Sequence, residues 1–198
     1  NNLENTLKTI HSIYKIDSKT GTMSLFTALP DIDSVAGVCA FGVLGLYYDC
    51  HGKKLYAASV GGSTQDVEKG VLYVIDPMNG HILDRLADFD ALGLFVGGMT
   101  GQKILYFGHA RSSEIYGIEL DKEGKFVGKA RVALSLDGLG PRGLDKARRI
   151  RADKSGNLQI YGIDFSFNLA AQTDRPESLY RFAFNKAIKK WELIDIKN

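Results

Sequence analysis

The chain has 198 residues, with 44% hydrophobic residues, 24% charged residues and a formal net charge of +2. These proportions are ordinary for a folded protein and exclude an intrinsically disordered chain. The small net charge does not favour nucleic acid as a partner, and no apolar run reaches the roughly 18 residues that a membrane-spanning helix needs. We expect a single domain over residues 1–198, and the 22 Gly, 9 Tyr and 10 Phe suit short strands joined by tight turns.

The first predicted element is a β-hairpin at residues 11–30. Residues 11–17 read His-Ser-Ile-Tyr-Lys-Ile-Asp, in which Ile13 and Ile16 flank Tyr14. The turn that follows ends in Gly21, at a position where a positive φ is needed. Residues 22–29 then return as the second strand.

Three longer units follow, at residues 42–88, 91–136 and 145–197, and each contains four short strands separated by turn residues. Each unit carries a tyrosine in its second strand and another in its third. The second strands share Leu55-Tyr56, Leu105-Tyr106 and Ile160-Tyr161, and the third strands share Tyr73, Tyr116 and Tyr180, with Tyr14 in the hairpin. Groups of four short strands that repeat at intervals of roughly 50 residues are typical of β-propeller blades.

The sequence therefore predicts an all-β protein of the β-propeller class, with about three and a half four-stranded blades. A β-sandwich also contains evenly spaced strands, but it does not require the same tyrosine pattern to recur in register. A solenoid normally has a shorter repeat. Because propellers have roughly 4 to 8 blades, we expect these residues to be part of a six-bladed ring, which missing blades or another chain must close.

The blade at residues 42–88 resembles a known group of six-bladed propellers. The motifs that carry the resemblance are Gly-Leu-x-Tyr-Asp at residues 45–49, Lys-Leu-Tyr-Ala-Ala-Ser at residues 54–59 and Gly-Val-Leu-Tyr-Val-Ile-Asp-Pro-x-x-Gly at residues 70–80. They are similar to those of gluconolactonase-like, strictosidine-synthase-like and NHL-repeat proteins. The lactonase-like members hold a divalent metal at one end of the central channel with Glu, Asn and Asp side chains, so the resemblance implies Ca²⁺ or another divalent metal as a cofactor.

Candidate site residues occupy the loops between second and third strands, which share a face with the connections between blades. His109 and Arg111 lie in this loop of the second complete blade, where a histidine suits a catalytic base or a metal ligand. A hydrogen-bonded surface histidine is the alternative. Asp164 and Asn168 lie in the corresponding loop of the third complete blade. Their oxygens suit Ca²⁺ or Mg²⁺, although an aspartate that caps a loop is the commoner case.

The densest basic stretch comprises Arg142, Lys146, Arg148, Arg149 and Arg151. Alternation along the predicted inner strand places Arg149 and Arg151 on one face and Arg148 on the other. Paired guanidinium groups suit the bidentate binding of a carboxylate or a phosphate. A strand held by salt bridges to Asp145, Asp153 or Asp164 is the alternative. No aromatic stacking platform accompanies the cluster, so nucleic acid is not expected.

The first functional hypothesis is a propeller that binds a small molecule or a protein on its loop-rich face. The binding residues would be His109, Arg111, Arg142, Arg149 and Arg151. Such a protein is expected outside the cytoplasm, in an extracellular or periplasmic location. The two cysteines, Cys39 and Cys50, are either small buried side chains or, in an exported protein, partners in a disulfide.

The second hypothesis is a divalent-metal-dependent hydrolase of the lactonase type. Asp164 and Asn168 would be metal ligands, and His109 or Arg149 would assist catalysis. A third hypothesis is a purely structural module in a larger assembly. The residues alone do not decide whether the protein is an enzyme.

Overall fold

The computed structural model describes residues 10–30, 41–98, 101–167 and 176–197. These residues form fourteen β-strands, two in the predicted hairpin and four in each of the three longer units. The strands are β1 (Ser12–Ile16), β2 (Met23–Ala28), β3 (Val43–Asp49), β4 (Lys54–Ser59), β5 (Val71–Ile75), β6 (Ile82–Ala87), β7 (Ala91–Gly97), β8 (Ile104–His109), β9 (Glu114–Leu120), β10 (Phe126–Ser135), β11 (Lys146–Ala152), β12 (Leu158–Ile163), β13 (Ser178–Asn185) and β14 (Lys190–Lys197). No helix in the described ranges is long and apolar enough to cross a membrane.

Twelve of these strands form three four-stranded antiparallel sheets, β3–β6, β7–β10 and β11–β14. In each sheet, strands that are consecutive along the chain are also hydrogen-bonded neighbours. The two remaining strands, β1 and β2, form a separate antiparallel pair. Four-stranded sheets of this order are propeller blades, so the predicted all-β propeller architecture is confirmed at the level of blades. The six-bladed ring stays a prediction.

The chain divides into two compact units: unit 1 runs to Asp90 and unit 2 starts at Ala91. Unit 1 contains the β1–β2 hairpin and the blade β3–β6, and unit 2 contains the other two blades. The single-domain organisation and the blade boundaries expected from the sequence stay predictions.

In unit 1, the β1–β2 hairpin packs against the blade β3–β6 through a shared apolar core. The Thr27 hydroxyl donates a hydrogen bond to the carbonyl of Gly80, at 2.9 Å, and ties the hairpin to the outer turn of the blade. The buried members of the core are Ile13, Leu29, Ala57, Val71, Tyr73 and Ile75. Tyr14 differs from the other third-strand tyrosines in being 42% exposed. A register shift between Ile13 and Tyr14 interrupts the alternation, so Ile13 faces the core instead.

In unit 2, the two blades share a second apolar core. Its buried members are Tyr106, Ile115, Leu134, Leu136, Ala147, Ile150, Leu158, Ile160, Tyr180 and Phe182. The inner strands β7 and β11 approach closely at Gly93, where a Cβ atom would lie 2.8 Å from the backbone of Arg148. Only a glycine fits this approach without displacing β11. The two blades are therefore in contact along their inner strands.

Each inner strand contains a register shift near its start, and in β11 the shift lies between Ala147 and Arg149. Arg148 is the extra residue, so it does not alternate with Arg149. Both arginines instead reach the same carboxylate, that of Glu177. The prediction that Arg148 lies on the opposite face from Arg149 is therefore wrong, because a β-bulge shifts the alternation by one residue.

Aspartates at the ends of strands cap the turns that join neighbouring strands of a blade. The Asp76 carboxylate accepts a hydrogen bond from the backbone N–H of Met78, at 2.8 Å. The Asp153 carboxylate accepts the backbone N–H groups of Ser155 and Asn157. A short acidic side chain that satisfies its own turn explains why aspartate recurs at these positions.

Candidate functional site

The sequence-predicted site residues belong mostly to one end of unit 2, which we call the loop end. Here β8 and β12 finish and β9, β11 and β13 begin. Three segments without strand structure meet there: residues 110–113, the connection at residues 136–145, and the described parts of the segment between β12 and β13. His109, Arg111, Arg142, Arg149 and Asp164 all lie at or near this end.

His109, the last residue of β8, belongs to a hydrogen-bonded cluster of side chains. Its Nδ1 atom lies 2.9 Å from the hydroxyl of Ser112, which donates to a carboxylate oxygen of Glu114 at 3.2 Å. The Tyr116 hydroxyl donates to the same oxygen at 2.7 Å, and its ring meets the imidazole edge-on. Ser112 lies between the histidine and the glutamate, which is not the order of a Ser-His-acid triad. The cluster fixes the imidazole at the start of the loop.

Arg111 connects the two blades of unit 2 at the loop end. Its guanidinium carbon lies 4.7 Å from the centre of the Phe167 ring, a distance suited to a cation–π contact. Phe167 in turn packs edge-on against Phe165, which is buried two residues after the end of β12. A loop of one blade thus contacts the segment that follows β12 in the next.

The guanidinium of Arg149 is held between an aromatic ring and a carboxylate at the loop end. It stacks over the ring of Tyr161, its paired residue on the neighbouring strand β12. The guanidinium carbon lies 4.0 Å from the ring centre. Its Nη2 atom lies 3.1 Å from a carboxylate oxygen of Glu177, and Arg148 reaches the other oxygen at 3.5 Å. The Nε donor of Arg149 is buried and has no hydrogen-bond acceptor among the described residues. An unsatisfied buried donor is costly.

Arg142 lies beneath the loop end and holds the connection between the blades. It makes two parallel hydrogen bonds to the fully buried carboxylate of Asp145, at 2.5 and 2.7 Å, and a third contact to the hydroxyl of Ser178. The Tyr180 hydroxyl donates to Asp145 at 2.9 Å. Burial, together with the neighbouring Asp145, raises the pKa of Tyr180 to about 12. These donors and acceptors satisfy one another, so the network has a structural role.

Sequence reasoning named Asp145 only as a salt-bridge partner of the basic stretch, and it missed that Asp145 and Asp90 are both buried. Asp145 directly precedes β11, and Asp90, which is equally buried, directly precedes β7. In unit 1, Asp90 accepts a hydrogen bond from the hydroxyl of Ser63, and its backbone N–H donates to Glu68. The recurrence of Asp one residue before an inner strand was the available signal, but the blade pattern alone does not reveal burial.

The remaining predicted residues are distributed differently. Asp164 is exposed at the end of β12. The pKa of the Arg142 guanidinium is raised mainly by its hydrogen bonds to Asp145, and the charge of Asp164 adds to this effect. Asn168 lies outside the described residues, as does Cys39, whereas Cys50 is exposed in the turn after β3. Arg151 is exposed towards the far end of β11, opposite Gln159. Within the described ranges, no group of three or more His, Cys, Asp or Glu side chains is placed to hold a metal ion.

No protein-family model matches the chain, and no curated protein matches it in sequence. One similar solved structure is a GH43 glycoside hydrolase, engineered to display both endo-xylanase and exo-arabinofuranosidase activity, at 15% identity and a TM-score of 0.47 over 88% of this chain and 34% of that one. Another is the periplasmic gluconolactonase of Pseudomonas aeruginosa, at 10% identity and a TM-score of 0.48 over 93% of this chain and 63% of that one. The chain thus spans less than two thirds of either protein. The blade assignment rests on the sheet topology and not on these similarities.

Proposed function

We propose that the loop end of unit 2 binds a small molecule that carries a carboxylate or a phosphate. The observation that supports this most directly is Arg149, whose guanidinium is stacked on Tyr161 while its Nε donor lacks an acceptor. A planar guanidinium held on an aromatic ring loses little further freedom when an anion binds it. Arg149 is therefore oriented in advance for an oxygen acceptor.

The charges around Arg149 also favour an anion. Arg148 and Arg149 share the single carboxylate of Glu177, so this group of three side chains keeps one net positive charge. Arg111, on the ring of Phe167, adds a second stacked guanidinium at the same end of the blades. Two stacked guanidinium groups beside aromatic rings suit a compact anion with an apolar or sugar-like body.

Calorimetric titration of the intact chain with citrate and with inorganic phosphate tests this proposal and separates the two anion classes. Replacement of Arg149 by Gln removes the charge and the fork of donors, and we expect the affinity for the preferred anion to fall about tenfold to a hundredfold. Arg149→Lys keeps the charge but loses the planar fork, and an intermediate loss is expected.

Arg85→Gln is the matched control, because Arg85 is an exposed strand arginine of unit 1. Its affinity for either anion should equal that of the unchanged chain. Equal weakening by Arg85→Gln and Arg149→Gln would show that only net charge matters and would contradict the proposal. So would the absence of binding of both anions.

The lactonase-like hydrolase remains the alternative function from the sequence. It needs several oxygen ligands, of which Asp164 is described and exposed at the loop end. Titration of the same chain with Ca²⁺, and of Asp164→Asn, tests this alternative separately. Tight Ca²⁺ binding that Asp164→Asn abolishes would favour the hydrolase, whereas anion binding without Ca²⁺ would favour the binding function.

A further inference from the structure

A second candidate site lies away from the loop end, on the lateral surface of unit 2. A groove of about 770 Å³ runs between the outer strands of its two blades. Its floor and walls are aromatic and aliphatic, and include Tyr106, Phe182, Phe184 and Trp191. The volume falls within the range of small-molecule sites in proteins, roughly 300–1,000 Å³.

The aromatic wall of this lateral groove is built from contacting rings of both blades. Trp191 meets the ring of Tyr106 edge-on at 6.1 Å and that of Phe184 at 5.1 Å, so side chains from both blades interlock. Burial raises the pKa of Tyr106, and a hydrogen bond from Trp191 partly offsets this effect. A wall built from interlocked aromatic rings is largely formed before any ligand arrives.

An irregular stretch of β10 forms the mouth of the lateral groove. The pairing of β10 with β9 shifts register between Val127 and Arg131, and Gly128 adopts a φ of 72°. This bulge carries Lys129 and Arg131 along the groove. Val132, also in the lining, leaves 49% of its surface exposed. The strand thus presents basic and apolar side chains side by side.

The rim of the lateral groove is strongly basic. Lys129 and Arg131 lie on one side and Lys189 and Lys190 on the other, with Glu119 as the single acidic residue of the lining. All five are exposed, and within the described residues none of the four cations forms an ion pair. Four positive charges above an aromatic floor complement a molecule with an anionic head and an apolar body.

We infer that the lateral groove binds an amphipathic organic anion, such as an aromatic or alkyl carboxylate or sulfonate. The aromatic floor accepts the apolar body and the basic rim accepts the acidic head. The occupant is a small molecule, because the cavity is sized for one and is bounded by side chains of both blades. This site shares no residue with Arg149 or Arg111, so it is independent of the function proposed for the loop end.

The chain offers a built-in reporter, because Trp191 is its only tryptophan and lines the groove. The test titrates the intact chain with the anionic probe 1-anilinonaphthalene-8-sulfonate and with its neutral relative N-phenyl-1-naphthylamine, and follows energy transfer from Trp191. Both probes should quench Trp191 emission. Replacing both rim lysines, in Lys189→Gln/Lys190→Gln, should lower the affinity for the anionic probe about fivefold to tenfold. The affinity for the neutral probe should fall less than about twofold.

Lys53→Gln/Lys54→Gln is a closely matched control. It removes another adjacent lysine pair, in unit 1, and its first member has a positive φ, as does Lys189. This variant should bind both probes as the unchanged chain does. A second pair of variants compares Val132→Glu, which places a carboxylate at the groove mouth, with Val67→Glu at a similarly exposed valine of unit 1. Only Val132→Glu should weaken the anionic probe.

Three results would overturn the inference. The first is no energy transfer from Trp191 to either probe. The second is that Lys189→Gln/Lys190→Gln weakens the binding of the anionic and neutral probes equally, or that the control Lys53→Gln/Lys54→Gln weakens the binding of the anionic probe as much as the test variant does. The third is displacement of the bound probe by an acidic peptide but not by 2-naphthoate, which would assign the groove to a protein partner. Loss of anion binding at Arg149 leaves these outcomes unchanged, so the two proposals fail separately.

Discussion

At the scale of single residues, the most consequential contacts connect a buried carboxylate to its donors. Asp145 is fully buried and accepts hydrogen bonds from Arg142 and Tyr180. Removal of one donor leaves a buried charge less well satisfied, which typically costs more than the hydrogen bond itself contributes. These residues therefore govern stability rather than ligand binding.

We predict that Tyr180→Phe lowers the free energy of unfolding at neutral pH by about 1–3 kcal/mol, because Asp145 loses a buried donor. Urea unfolding followed by the fluorescence of Trp191, the only tryptophan, measures the stability of unit 2. The control is Tyr48→Phe, since Tyr48 is 48% exposed. An equal effect of both replacements would contradict the prediction.

The same residue predicts a dependence on alkaline pH. The pKa of Tyr180 is raised to about 12 in the folded state, whereas an unfolded tyrosine titrates near ~10. Because the folded pKa is the higher one, the contribution of this hydroxyl is complete below pH ~10 and is lost as the pH rises through the folded pKa. The stability difference between the unchanged chain and Tyr180→Phe should therefore shrink above pH ~10, and a constant difference would exclude this account.

At the scale of elements, close packing at a glycine and the capping of turns by aspartates hold the strands of a blade in place. Gly162 in β12 lies against the side chains of Asp145 and Tyr180, where a Cβ atom would come within 2.8 Å of both. The aspartates at strand ends satisfy the turns that join neighbouring strands. The turn caps are local in sequence, whereas Gly162 contacts residues from neighbouring parts of the sheet, and both features fix how strands meet.

We predict that Gly162→Ala lowers the free energy of unfolding by about 1–3 kcal/mol, because a methyl group displaces the buried Asp145 network. Gly117→Ala is the matched control in β9, where the nearest atom to the new Cβ is a methyl carbon of Ile104 at 3.1 Å. That side chain adjusts more easily, so a smaller loss is expected in the same Trp191 unfolding assay. A larger loss in Gly117→Ala would contradict this explanation.

The turn and strand aspartates predict loss of stability in acid. A hydrogen bond from the side chain of Asn157 lowers the pKa of Asp153, the backbone N–H of Thr20 lowers that of Asp17, and Arg181 lowers that of Asp195. Because each folded pKa lies below its unfolded value, this stability is present above pH ~4 and is lost as the pH falls through the lowered values.

Urea midpoints measured from pH 6 to pH 2 test this dependence. In Asp153→Asn, the urea midpoint followed by Trp191 fluorescence should fall less steeply as the pH decreases, since asparagine cannot titrate. Asp137→Asn, at an exposed position of the connection between blades, is the control and should leave the decline unchanged. An unchanged slope in Asp153→Asn would show that other groups control acid stability.

At the scale of the whole molecule, the hairpin β1–β2 has two strands, whereas the other sheets formed by the described residues have four. Several large apolar side chains of unit 1 are exposed on or beside it: Tyr14, Ile16, Met23, Leu25, Leu46 and Tyr48. Exposed apolar strands of this kind favour association. The expectation that missing blades or another chain complete the ring stays a prediction.

We predict that this chain, by itself, self-associates reversibly and that Leu46→Glu reduces the association, because Leu46 is 52% exposed on β3. Sedimentation velocity over a range of concentrations measures the effect. Ile188→Glu, at a similarly exposed residue of the β13–β14 turn, serves as the control. A concentration-independent monomer for the unchanged chain would contradict the prediction.

The sequence alone determined the strands, the outer turns and the four-stranded blade, because alternation and turn chemistry are properties of neighbouring residues. Tyr73, Tyr116 and Tyr180 fall on third strands, as the pattern predicts. The sequence also indicated that arginines and a histidine gather near the loops of unit 2.

Only the tertiary structure decided what those side chains do. The bulge at Arg148 brings it to the same glutamate as Arg149, and Arg142 is committed to buried Asp145 rather than to the loop face. The lateral groove around Trp191 was not predicted at all, because its walls come from strands of two blades. Such contacts join residues far apart in the chain, and their geometry depends on register and packing, which no local pattern specifies.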